Sequence, residues 1–335
     1  RSTLFPYTTL FRSAGISVYS QFWPGSLGQN ATGGPWQSNE NFIIEGSSTP
    51  SIRFPNPFAT TSTFSGIQTI SGVSSNFPNE RTYQWNFSIG RQILGMAVDI
   101  AYVGTRSLNI PYTEDLNLLR PSTTPFSAAR RPYPRFNTAS LIQTGGSASY
   151  NGLTFQADRR MSRGLWFNVN YTWAKGITDT ALNAYPAGIQ QNQYARYLER
   201  SDDAALRRQQ LRFSYTWEIP VGRGRQALGD IPRLLDHVIG GWQLAGITTL
   251  LTGARLSPSY SNADPAFTNQ FSGRPDRLAD GNLDSGSMRS FIESGKPVFD
   301  ASAFVVPATG RGFYGNSARF VLTGPGTATW NMGIH

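Results

Sequence analysis

From residue 81 onward the chain alternates apolar and polar positions with a period of two. In RTYQWNFSIGRQI, Tyr83, Trp85, Phe87 and Ile89 share one face, and Gln84, Asn86, Ser88 and Gly90 share the other. This is the pattern of a half-buried β-strand. After a tight break at 94–95, GMAVDIAYVGT sets Met96, Val98, Ile100 and Tyr102 opposite Ala97, Asp99, Ala101 and Thr105, so the two segments predict a hairpin. A second pair comes next. Leu153, Phe155 and Ala157 oppose Thr154, Gln156, Asp158 and Arg160. After the turn MSRG at 161–164, Leu165, Phe167, Val169, Tyr171 and Trp173 oppose Trp166, Asn168, Asn170 and Thr172. A third pair begins with Leu211, Phe213, Tyr215, Trp217 and Ile219 against Arg212, Ser214, Thr216 and Glu218. Its second member, 242–251, alternates poorly, and only Trp242 and Leu244 receive a face. TWNMGI supplies a last half-strand, and GISVYSQFW a further candidate at the start.

The predicted strands run about 9–12 residues, the length that crosses a bilayer when tilted. The connections at 94–95 and 161–164 are tight and that at 221–240 is moderate, whereas 106–147, 176–207 and 255–326 read as long Gly/Pro/Ser/Asn-rich loops. Short turns at one end and long loops at the other fit a transmembrane β-barrel and orient it, with the long loops outward. Trp85, Tyr102, Tyr171 and Trp173 then fall at outer strand ends, and Trp217 and Trp242 near an inner turn. Those are the two levels at which aromatic girdles form. A soluble β-sandwich also alternates, but it would bury Trp85, Phe87, Phe155, Phe167, Val169 and Phe213 in a dry core.

Composition agrees with the barrel. Aromatic residues make up 13% and charged residues only 15%, against about 25% charged in an ordinary soluble domain. Mean hydropathy is −0.32, and no apolar run approaches the ~18 residues of a membrane helix, which leaves barrel strands open. Cysteine is absent, excluding disulfides and thiol chemistry. The net charge of +9 comes almost wholly from arginine, since Lys175 and Lys296 are the only lysines. Its scatter through turns gives no support for a nucleic-acid partner. Residues 3–13, TLFPYTTLFRS, match the in-frame translation of a common short-read sequencing adapter. Residues 1–13 are therefore expected to be an adapter-derived artefact, leaving 14–335 as the domain.

The segments YQWNFSIGRQI, VDIAYVGTRS, YNGLTFQADRRMSRGLWFNVNYTWAKGITD, RFSYTWEIPVGRG, GGWQLAGITTLLTG and GFYGNSARFVLTGPGTATWNMGIH, in that order, resemble the barrel of TonB-dependent outer-membrane transporters. They are most similar to the Oar-like group, which carries a carboxypeptidase-regulatory-like domain before its plug. The resemblance spans about residues 79–335. It implies a barrel of about 22 strands around an N-terminal plug. It also implies an extracellular ligand and an energy complex that pulls on an N-terminal box, in a Gram-negative outer membrane. The chain is expected to be a partial barrel of seven or eight meandering strands, truncated at both ends, without plug, box or regulatory-like domain, and inactive by itself. Its open edges, 16–22 or 83–89 on one side and 330–334 on the other, are expected to be aggregation-prone.

Catalytic chemistry has little to stand on, and the chain is not expected to be an enzyme. His237 and His335 are the only histidines, and His237 lies in a turn. The run DRLADGNLD offers Asp276, Asp280, Asn282 and Asp284, but Ser285 and Phe291 stand where a calcium loop needs Gly and Glu, so a solvated loop is the better reading. No phosphate-binding loop is present, and neither metal nor cofactor is expected. The GRGR turn at 222–225 reads as a charged cap. Asp99, Gln156, Asp158, Arg160, Asn168, Asn170, Arg212 and Glu218 face the interior, where cross-strand pairing is the first expectation and contact with a plug or transport path the second. Tyr112, Tyr133, Phe136, Tyr185, Tyr194, Tyr197 and Phe271 in the loops could stack on a sugar or peptide, or pack among themselves. Three other readings are left open: a secreted aromatic-rich carbohydrate-binding sandwich, an outer-membrane adhesion or structural protein, and a β-rich hydrolase with carboxylates about 5–10 Å apart.

Overall fold

The computed structural model describes residues 8–19, 68–180, 190–230, 232–283, 292–295 and 297–335. Residues 3–7 of the opening segment, 20–23 of the first candidate strand, Tyr185, Asp284 and Lys296 lie outside them. One large sheet dominates. Its path is β1 (Thr8–Tyr19), β3 (Glu80–Ile93), β4 (Met96–Asp115), β5 (Phe136–Ser162), β6 (Leu165–Thr178), β8 (Gln209–Glu218), β9 (Gln243–Leu251) and β10 (Thr327–Ile334), every neighbour antiparallel. Among the described residues the far sides of β1 and β10 have no partner, so this is an open sheet, a partial barrel wall. Strand β1 pairs with β3 continuously through Ser13 and Ala14, which face Asn86 and Trp85.

The register keeps each face chemically uniform. Ile89, Ile100, Phe155, Tyr171, Leu211 and Leu250 stand in one cross-strand row, and Phe87, Tyr102, Leu153 and Trp173 in the next. On the reverse face, Asp99, Gln156, Asn170, Arg212 and Thr249 form a polar row. A slip of one residue would exchange the two faces, so the alternation itself holds the register. The poorly patterned segment takes its faces from its neighbours. Leu244, Gly246, Thr248 and Leu250 lie on the apolar face opposite Trp217, Tyr215, Phe213 and Leu211. A Cβ at Gly246 would come within 2.6 Å of the Tyr215 hydroxyl, so an apolar side chain there would displace the ring.

Among the described residues, nothing covers the apolar face. Trp85 and Phe87 are each 39% exposed and Phe155 is 38% exposed, while Phe167, Val169 and Phe213 are half-buried by in-sheet neighbours such as the Phe213–Tyr215 stack at 5.2 Å. The other described sheets are two-stranded ladders, so no second sheet closes a sandwich over this face. Among the described residues the face carries no carboxylate up to the Trp173 row, and its charges there are arginines: Arg12 opposite Phe87, Arg91 opposite Val98 and Arg159 opposite Met96. Long cationic side chains of this kind can snorkel toward water. Trp173 and Leu165, the latter beside Trp217, are eight residues apart, about 26 Å along the strand. No described helix is long and apolar enough to cross a membrane. The inner connection instead carries a short helix, α1 (Arg233–Ile239), whose Leu234 and Val238 are exposed; the Trp242 indole N–H donates to the Val238 carbonyl at 2.8 Å.

Beyond the aromatic rows the expected loops are largely structured. Strands β4 and β5 stay paired from Thr105↔Tyr150 to Asp115↔Ser140, about 34 Å further, with an irregularity around Asn109, whose φ is 59°. Residues 106–115 and 136–147 are thus strand, not loop: Ser, Thr and Gly weaken the apolar signal, but the hairpin partner still satisfies the backbone. Strand β2 (Gln68–Val73) pairs in parallel with the upper part of β5, and β7 (Ser201–Asp202) extends the edge of β6. Residues 116–135, 190–208 and the described residues of 252–326 form an outer layer with its own core of Leu118, Leu119, Ala263, Ala266, Ala303, Tyr314 and Leu322. Of the buried apolar residues, only Ala157 and Ala174 belong to the stretches predicted as membrane strands.

Candidate functional site

The outer layer is fastened to the strand tips by polar side chains. Gln193 imitates a strand: its Nε2 donates to the Asp115 carbonyl at 2.7 Å and its Oε1 accepts from the Asp115 amide at 3.0 Å. Asp115 Oδ1 accepts from Asn117 N and Ala139 N, each at 2.9 Å, and the Tyr194 hydroxyl donates to the Leu118 carbonyl at 2.6 Å. Arg196 stacks on Tyr112 at 4.5 Å and pairs with Asp179 at 3.1 Å, while Asp179 also accepts from Ser147 N at 2.7 Å. Burial raises the Glu114 carboxyl, offset in part by Arg196.

The layer also roofs the polar face of the sheet. Gly176 comes after the polar-facing Thr172 and Ala174, and a Cβ there would lie 2.3 Å from Leu206 Cδ1 and 3.2 Å from Asp203 Cβ. Only glycine admits the 203–206 segment so close to the strand. Asp202 just above pairs with Arg255 at 2.8 Å and Arg208 at 3.7 Å, tying three parts of the layer together.

A cleft of about 950 Å³ opens in this layer, bounded by Gln190, Gln191 and Glu199 on one side and by 257–261, 269–274 and Arg319 on the other. Its charges are spent internally. Glu199, with a side chain 3% exposed, receives Arg274 in bidentate fashion at 2.9 and 2.8 Å and Arg319 at 3.7 Å. Burial lowers the Arg319 pKa, and Glu199 opposes that shift. Arg274 is fixed further, its Nε donating to the Ser317 carbonyl at 3.0 Å and its N–H to Gln191 Oε1 at 2.7 Å. The neutral groups are less satisfied. Both amide atoms of Gln190 and the hydroxyl of Tyr260 are buried without a hydrogen-bond partner, an arrangement that costs about 1–3 kcal/mol per group. Burial, then Asp264, raises the Tyr260 pKa, so its hydroxyl stays a donor at neutral pH.

The expected site residues scatter. Of the described loop aromatics, Phe271 alone lines the cleft and is 57% exposed; Tyr112 and Tyr194 lie under Arg196 and Arg120, and Tyr197 is 78% exposed. Asp276 belongs to an ion pair with Arg311, whose Nη2 lies 2.9 Å from Oδ1, and this hydrogen bond holds its carboxyl below the ordinary 3.8. Asp280 pairs with Arg277, and Asn282 accepts from Thr323 N at 2.8 Å. The run is a largely exposed loop, as the solvated reading expects, tied to the layer by these ion pairs and hydrogen bonds. Of the interior set, Asp158 accepts from Asn168 across strands at 3.2 Å, and Glu218 meets Arg225 of the inner turn at 3.4 Å. His237 sits on α1 at the inner end, and His335 continues the ladder beside Gln243. Among the described residues, no group of three His, Asp or Glu could hold a metal. Gln190, Glu199, Tyr260 and Arg274 have no sequence signal: they lie in polar loops with no period, and only folding brings them together.

The family model described as "Outer membrane beta barrel domain" matches residues 3–335. Among solved structures, the outer membrane transporter YddB from Escherichia coli is similar at 8% identity with a TM-score of 0.38, over 61% of this chain and 24% of that one. The chain thus spans about a quarter of that transporter. No curated protein matches.

Proposed function

We propose, from the premise that the chain belongs to the outer membrane beta barrel domain family, that it is part of the wall of a TonB-dependent transporter of the Oar-like group. The chain lies in the outer membrane with its apolar face against lipid. In this reading the intact protein takes up a scarce nutrient from outside, driven by the TonB complex acting through an N-terminal plug region, and the chain carries no reaction of its own. The observation that supports uptake best is the roof over the polar face, where Leu206 and Asp203 press on Gly176. A solute moving along that face meets a structured, ion-paired layer first.

The test uses cells with and without the full-length gene, supplied with labelled nutrients. The gene should confer accumulation of at least one nutrient, and a protonophore should remove the gain. Uptake that survives the protonophore means a passive pore. No gain in uptake, with surface attachment lost on deletion, means an adhesin.

A further inference from the structure

We infer that the outer cleft binds a neutral, hydroxyl-rich ligand of the oligosaccharide kind. The inference deepens the transport reading and rests on it only for the steps after capture. Size is the first support: about 950 Å³ lies at the upper end of small-molecule sites and suits several linked rings.

Charge is the second. Among the described residues, the charged groups lining the cleft are Asp179, Glu199, Arg274 and Arg319, two of each sign, and every one is engaged with a counter-ion. An anionic or cationic ligand would have to break a buried pair, which strands a charge and is strongly unfavourable. What the cleft offers instead is neutral. Ser259, Ser261 and Ser272 are exposed hydroxyls, Asn269 and Gln270 supply amides, and the exposed Phe271 ring gives an apolar face for a sugar ring. Behind this lining, the Gln190 amide has an unused donor and an unused acceptor, and Tyr260 an unused hydroxyl. Buried polar groups without partners are rare and call for an explanation. A hydroxyl, which both donates and accepts, supplies the missing partner for each of them.

The test is calorimetric titration of the full-length protein in detergent. Maltotetraose, cellotetraose and xylotetraose are the neutral probes, with a galacturonate tetramer, a glucosamine tetramer and tetra-alanine as anionic, cationic and peptide controls. At least one neutral saccharide should bind at millimolar concentration, and the controls should not. Phe271→Ala, at an exposed position that does not threaten folding, should weaken binding about tenfold, as should Tyr260→Phe. Tyr260→Phe should also leave thermal stability unchanged or raised, since the lost hydroxyl has no partner in the free protein. Absence of binding by every neutral probe, preference for a charged or peptide probe, or indifference to either variant would overturn the assignment. Saccharide binding without protonophore-sensitive uptake would keep the cleft and remove the transporter; the reverse result would remove only the cleft.

Discussion

In the sheet, Ile89, Ile100 and Phe155 present bare side chains to their surroundings, while in the outer layer Tyr314, Ala266 and even the carboxylate of Glu199 are buried. The two regions share one chain and obey opposite rules because their solvents differ. Lipid is as apolar as the side chains it touches, so the sheet needs only a chemically uniform face and a satisfied backbone. The outer layer meets water and must build an interior, so it gathers small and aromatic residues into a core and pairs its buried charges.

Glu199 offers the severest challenge to this contrast. Glu199→Ala leaves Arg274 and Arg319 facing each other without their counter-ion, an expected loss of about 3–5 kcal/mol confined to the layer. Limited proteolysis should cut residues 190–208 and 252–326 much faster, while the β-sheet circular dichroism signal of the wall is unchanged. Simultaneous loss of both would mean the layer and wall fold as one unit.

More modest changes are expected when an arginine is placed in each region in turn. Val169→Arg, midway between Leu165 and Trp173 on the apolar face, should cost about 2–4 kcal/mol of assembly into vesicles. Tyr197→Arg, at 78% exposure in the layer, should stay within about 0.5 kcal/mol. Equal costs measured by folding titration would erase the distinction in solvent.

The mildest test is pH. The Asp276 carboxyl is held below its ordinary value, so its contribution is fully present above about pH 4 and is lost as pH falls through the lower folded value. Acidification should therefore raise hydrogen exchange around Arg311 and Asn316 first. The apolar face of the sheet, which carries no carboxylate, should not respond.

Legibility divides along the same line. Tyr83 to Ile89 and Leu165 to Trp173 are readable because each second side chain has to suit lipid, and a single strand's composition states that requirement. Segment 242–251 is not, because Gly246 and Thr248 take their face from Tyr215 and Phe213 across the ladder. The continuation of β4 and β5 past Thr105 is hidden for a related reason: both faces there meet polar surroundings, so the alternation fades while the hydrogen bonds persist. Asp276 and Asp280 resemble free ligands in the sequence, and their arginine partners, 35 and three residues away, engage them only in the folded layer.

The wall is therefore written in the primary structure: its strands, their two faces, the aromatic levels and the end bearing the long connections. The strands and faces come from a period of two and the orientation from connection lengths, neither of which needs knowledge of partners. Segment 242–251 and the outer halves of β4 and β5 are the exceptions. The cleft is a product of folding alone, where Glu199 meets Arg274 from 75 residues away, and where Gln190 and Tyr260 are left with hydrogen bonds unmade. Charge pairing and burial between distant loops depend on closure of the chain in space, and no local pattern records them.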